Sequence, residues 1–122
     1  MILADTAIWI DYYRGRNPQM RALMESGQIA IHPYVIAELA LGSLHDRINT
    51  LAVMDKLAGV IVASRFEVRR MIEAHSLYSR GIGLTDAHLI ASCLMTPGIK
   101  LWSHDRALRN IAITLGLHAH LP

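Results

Sequence analysis

The chain has 122 residues, one domain's worth, and 52 % of them are hydrophobic, enough to pack a core without covalent staples. A single cysteine, Cys93, excludes an internal disulfide framework and a zinc site built on thiolates, and fits a reducing compartment. The net charge of +2 excludes a strongly polybasic nucleic-acid binder, although ten of the 12 basic residues are Arg, the side chain suited to bidentate phosphate contacts; a genomic bias toward Arg explains this equally well. The charged fraction, 18 %, is low and leaves apolar surface for a partner to cover.

Residues 1–4 (MILA) form a short apolar run that reads as a buried strand and ends at Asp5. Residues 6–14 read as a helix stopped by Gly15, with Ile8, Trp9, Tyr12 and Tyr13 near one face. Pro18 opens a second helix, in which Met20, Leu23 and Met24 recur at helical spacing up to Gly27. Residues 28–31 (QIAI) are a second strand. Pro33 then begins a helix over 34–41 that ends at Gly42. A helix over 46–57 has Ile48, Leu51, Met54 and Leu57 as its expected apolar stripe, and 60–63 (VIVA) reads as a third strand. Residues 65–80 suggest one long amphipathic helix closed by Gly81, and 85–95 another, with Thr85 as its N-cap. After the Thr96-Pro97-Gly98 break come a strand over 99–103, a helix over 106–115 and a final edge strand over 117–121.

Short apolar strands alternating with helices give βαβ units and a parallel sheet, hence an α/β fold in the form of a three-layer α/β/α sandwich. No repeat, low-complexity tract or linker divides the chain, so residues 1–122 are expected to be one domain. The opening MILADTAIWIDYY has no positive n-region and reads as a strand entering a helix, not as a signal peptide. No apolar run approaches the roughly 18 residues of a membrane span. A cytoplasmic protein, with no membrane partner, is expected.

Ligands of open parallel sheets bind beyond the carboxyl ends of the strands, and Asp5 and Asp105 lie at two such ends. Glu38 stands in the apolar stretch PYVIAELALG, where an unpaired buried carboxylate would cost several kcal/mol. Asp86 falls in the first turn of the apolar helix GLTDAHLIASCL. Each acid has an ordinary alternative: helix capping for Asp5 and Asp105, a buried ion pair for Glu38, the helix dipole for Asp86. Together they point to one cleft. Carboxylates about 4–5 Å apart repel by about 3–4 kcal/mol per pair at an effective dielectric of about 20, so such a cluster calls for a cation. An all-oxygen site suits Mg²⁺ or Mn²⁺.

The succession ILADTAIWIDYY, an apolar helix carrying AEL and a Gly, LTDAHLIASCL and LWSHDRAL resembles the PIN domain, in order and over essentially the whole chain. By length it is similar to the VapC toxins of toxin–antitoxin pairs. The resemblance implies a metal-dependent ribonuclease in which Asp5, Glu38, Asp86 and Asp105 form the catalytic metal site, assisted by the hydroxyls of Thr6 and Ser103. It implies hydrolysis of RNA, with tRNA or rRNA as substrate, to leave a 5′-phosphate and a 3′-hydroxyl. A cognate antitoxin packed on the early helices and a homodimer are further implications.

Arg14, Arg16 and Arg21 follow the first helix and are candidates for RNA phosphates, as is His88; Arg80 and Arg106 are weaker ones. Solvated helix-end charge is the plain alternative. Trp9, Tyr12 and Tyr13 suit base stacking, an antitoxin groove or simply the core. His118 and His120 share one face of a strand but lack a third ligand nearby in sequence, so a structural role is favoured; His104 directly precedes Asp105. Three other functions compete. An aspartyl nucleophile at Asp5, as in haloacid-dehalogenase-like enzymes, would call for a second Asp where Ala7 stands. A non-catalytic PIN scaffold binding RNA or protein is disfavoured by the presence of all four acids. A PIN-like nuclease acting on DNA or ribosome-processing intermediates differs only in substrate.

Overall fold

A computed structural model describes residues 1–122. In chain order the elements are β1 (Ile2–Ala4), α1 (Thr6–Tyr13), α2 (Pro18–Glu25), β2 (Ile29–Ile31), α3 (Pro33–Ala40), α4 (Arg47–Lys56), β3 (Ala58–Gly59), α5 (Arg65–Ala74), α6 (Leu84–Met95), β4 (Lys100–Trp102) and α7 (Arg106–Thr114). The strands form one parallel sheet in the order β3-β2-β1-β4, flanked by helices as the sequence predicts for a three-layer α/β/α sandwich. No helix is long and apolar enough to cross a membrane.

β1 lies between β2 and β4. Leu3 pairs with Ala30 on one side and Leu101 on the other, and Ala4 pairs with Trp102. Leu3, Ala4, Ala30, Leu101 and Trp102 are fully buried, as expected for strands covered on both faces. The chain leaves β1 toward β2 and returns to its other side only with β4. The strand order therefore reverses at β1, and the crevice between the carboxyl ends of β1 and β4 is the switch point where open α/β sheets place ligands.

Capping explains where most helices begin. Asp5 Oδ1 accepts from the Ile8 N–H (3.2 Å), Asn17 from Met20 (3.0 Å), His32 Nδ1 from Tyr34 (2.9 Å) and Asp105 Oδ2 from Leu108 (2.9 Å). Pro18 and Pro33 occupy first-turn positions, where the missing N–H costs nothing. Ser64 and Glu67 form a reciprocal capping box at the head of α5.

The structure departs from the sequence reading in five places. The third strand is Ala58–Gly59, not 60–63: after two pairs with β2 the chain leaves the sheet, and Ile61 gives its N–H to Thr96 Oγ1 (2.9 Å) instead of to a strand. The helix expected over 65–80 stops at Ala74. Leu77 donates to the Ile72 carbonyl (2.9 Å) and Ser76 to that of Glu73 (3.2 Å), with Ser76 at φ 52°. This is a Schellman ending with serine where glycine is usual, and buried Leu77 anchors it. α6 starts at Leu84 with Gly83 as its N-cap, which puts Thr85 inside the first turn. The apolar stripe of α4 fails at Ile48, 84 % exposed; the helix buries Met54 fully and Leu51 in part. Finally, 117–121 is not a strand but a single parallel bridge from His118 to Leu101, since left-handed His120 (φ 56°) turns the chain away.

Candidate active site

Asp5 comes directly off β1 and is 6 % exposed. One carboxylate oxygen caps α1 through the Ile8 N–H, and the other accepts a hydrogen bond from the Ser103 hydroxyl at the end of β4. Ser103 is itself buried, and its oxygen accepts the Asp105 N–H (3.0 Å). The two strand-end acids are thus joined through one serine. Asp105 caps α7, as its ordinary reading required, and that role leaves it beside the same crevice.

Glu38 and Asp86 approach from helices. Glu38, in α3, is exposed, contrary to what its apolar neighbours in sequence suggested: the helix turns those neighbours, Val35 and Leu39, inward and Glu38 outward. Its Oε1 accepts from the Thr6 hydroxyl (2.8 Å), so the residue after Asp5 holds the tip of Glu38. Asp86 is half-buried in the first turn of α6, and its Oδ2 accepts a long bond from the Gly83 N–H (3.4 Å).

The electrostatics tie the four acids together. Burial raises the Asp86 carboxyl above its ordinary value; the Gly83 N–H opposes this, and the charges of Asp105, Asp5 and Glu38 push it further up. Burial likewise raises Asp5, against the Ser103 and Ile8 hydrogen bonds and the neighbouring His104, while Asp105 adds repulsion. Acids from four separate elements therefore feel one another across one crevice. Asp5 and Asp86 are the two acids that burial raises.

The donor set is all oxygen and fits a hard divalent cation. No three acidic, histidine or cysteine side chains are gathered tightly enough to clasp an ion by direct bonds alone. An ion held here would take one or two carboxylates and keep several waters, the usual manner of Mg²⁺.

The remaining candidates divide. Arg14, Arg16 and Arg21 are exposed, and Arg14 lines a groove of about 630 Å³ together with Glu38, Ile10, Tyr13 and the 42–46 turn. His88 is a correction: expected to reach phosphate, it is 4 % exposed and packs against the rings of Tyr34 (4.4 Å) and His32 (5.9 Å). Trp9 is a second correction as a partner-binding residue. It is fully buried, and Tyr12 and Tyr13 pack on its ring, leaving Tyr13 as the exposed aromatic of the three. His118 and His120 do meet, with their Nδ1 atoms 3.3 Å apart.

Sequence reasoning missed His32, fully buried at the end of β2, where burial and nearby His88 lower its imidazole pKa to about 4. Its place directly before Pro33 was the available signal, since a helix beginning with Pro needs a cap one residue earlier. It also missed that His104 joins the acid-bearing turn to Pro122.

Residues 2–113 match the PIN domain family. Two curated relatives, both named Ribonuclease VapC32 and coming from Mycobacterium tuberculosis strains CDC 1551 / Oshkosh and ATCC 25618 / H37Rv, are each 36 % identical to the chain over 109 residues, covering 89 % of it and 88 % of the relative. With the parallel sheet, the acids at its switch point and this match along most of the sequence, the chain belongs to the PIN domain family.

Proposed function

We propose that this protein is a divalent-metal-dependent endoribonuclease of the VapC type, one nuclease domain over residues 1–122, acting in the cytoplasm under the control of a cognate antitoxin. The observation that carries the reading is the meeting of the acids at the ends of β1 and β4: Ser103 bridges Asp5 and Asp105, and Thr6, the residue after Asp5, holds Glu38, with Asp86 near enough to feel their charges. The 36 % identity to proteins named Ribonuclease VapC32 supports RNA as the substrate.

When bound, Mg²⁺ or Mn²⁺ would make a water more acidic and offset charge on the scissile phosphate. Asp5 and Asp86 would supply the strongest contacts to it, Glu38 would hold the ion or orient the attacking water, and Asp105 would act through a bound water. Thr6 fixes the Glu38 carboxylate, and Ser103 fixes that of Asp5. Water adds to phosphorus as the bond to the 3′ oxygen breaks and that oxygen takes a proton, leaving a 5′-phosphate and a 3′-hydroxyl. Arg14, Arg16 and Arg21 would bind backbone phosphates, which give affinity without reading sequence. The antitoxin would lie against Tyr12 and Tyr13 along the groove that runs from Arg14 to Glu38. A tRNA or ribosomal RNA target and a homodimer complete the proposal.

Purified protein should cut tRNA or rRNA in Mg²⁺ or Mn²⁺ and not in EDTA, and Asp5→Asn should lower the rate by at least about 100-fold. Mg²⁺ should raise the melting temperature of the wild type and not of the variant, because the ion binds only the assembled acids. Equal cutting by both proteins would reject the site.

A further inference from the structure

We infer that segment 117–122 is a clamp on the turn carrying Ser103 and Asp105, and that His104 is the positioning residue through which it acts. The inference deepens the nuclease reading and rests on it for its catalytic consequence.

The segment follows α7, beyond whose last residue, Thr114, the chain turns at left-handed Gly116. The Leu101 N–H donates to the Leu117 carbonyl (2.7 Å) and the Ala119 N–H to the Leu101 carbonyl (2.9 Å), so the segment lies along the side of β4 that β1 does not occupy. Leu117 and His118 are buried there, and His120 turns the chain back. A main-chain oxygen of Pro122, the last residue of the sequence, then accepts two hydrogen bonds: from the Trp102 indole N–H (3.3 Å) and from His104 Nε2 (2.8 Å). That oxygen can only accept, so Nε2 carries the proton. The His104 ring stands edge-on to Trp102, with centroids 6.1 Å apart.

His104 is the middle residue of a three-residue turn whose other two members are Ser103 and Asp105. Ser103 holds Asp5 and receives the Asp105 N–H; Asp105 caps α7. The outer two are therefore held from inside the molecule, by Asp5 and by α7. His104 is exposed, and its recorded side-chain hydrogen bond is to Pro122. Releasing that bond frees the middle of the turn without opening the core. The Ser103–Asp105 contact depends on the bend there, so the spacing of Asp5 and Asp105 follows it. Groups that orient metal-binding side chains from behind commonly change metal affinity by about 10–100-fold when removed.

Three variants test this: His104→Ala, His104→Gln, whose amide N–H reaches about as far as Nε2, and a chain ending after His120. The first readout needs neither metal nor substrate: hydrogen exchange of the Asp105 amide, which Ser103 protects. It should quicken about tenfold or more in His104→Ala and in the shortened chain, and stay near wild type in His104→Gln. The Mg²⁺ concentration for half-maximal RNA cleavage should rise about tenfold in the first two and recover with Gln. Combining His104→Ala with the shortening should add little to the exchange of the Asp105 amide, because each alone already removes the His104–Pro122 bond. Wild-type exchange in the shortened chain, failure of Gln to rescue, or full additivity would overturn the clamp. Exchange that behaves as described in a protein that cuts no RNA would instead overturn the nuclease reading and leave the clamp standing.

Discussion

β4 and β3 both lie at an edge of the same parallel sheet, yet they are built differently. β4 pairs three residues with β1, buries Leu101 and Trp102 completely, and carries segment 117–122 on its outer side. β3 pairs two residues with β2, and both are exposed. The difference follows what each strand delivers. β4 ends in Ser103 and Asp105, whose positions must hold to within a hydrogen bond, whereas the chain leaving β3 passes through exposed Ile61 and Val62 to the capping box of α5 and brings no acid to the crevice. An edge that aims a side chain is packed on both sides; an edge that only continues the sheet needs little more than backbone pairing.

Three substitutions would break or sharpen this contrast. The largest effect is expected from Trp102→Ala, which empties a fully buried indole site in the β4 edge. It should cost about 3–5 kcal/mol and lower the melting temperature by roughly 10–20 °C. A loss below about 1 kcal/mol by denaturant titration would mean that β4 is no better anchored than β3. Next is Ser103→Ala, which strips one Asp5 oxygen of its donor and the Asp105 N–H of its acceptor. RNA cleavage at limiting Mg²⁺ should fall about 10–100-fold in a protein that still folds; an unchanged rate would show that the β4 turn does not aim the acids. The smallest is Gly59→Ala in β3, where an added Cβ meets nothing within 4 Å and the backbone is not left-handed. Stability should stay within about 0.5 kcal/mol of wild type. A larger loss would show that the β3 edge is under constraints its exposure hides.

The same contrast governs what the sequence revealed. MILA and the run ending at Asp105 are short apolar segments that stop at an acid, and buried parallel strands must look like that, so β1, β4 and the two strand-end carboxylates were legible. VIVA looked equally strand-like and is not one, because apolar residues at an edge show no difference in composition between pairing with a neighbour and running on beyond it. The end of α5 was hidden for another reason: the left-handed residue there is Ser76, and without glycine a Schellman turn leaves no mark in composition. Glu38 was identified through its apolar surroundings, but the structure shows it on the outward face of α3, held by Thr6; its place in the crevice depends on how α1 and α3 pack, which no local pattern encodes. The bond from His104 to Pro122 joins residues brought together only by the return of the chain after α7.

The order β3-β2-β1-β4 has a consequence for the protein's birth. β1 is the first strand to be made and β4 the last, and the hydrogen bond from Ser103 to Asp5 spans 98 positions. A growing polypeptide on the ribosome can assemble β1, β2 and β3 while the other half of the crevice is still untranslated. Contacts so distant along the chain also form slowly. Until the stretch through Asp105 has been made, Asp5 therefore lacks its Ser103 partner and the Asp105 carboxylate is missing from the β4 side of the sheet.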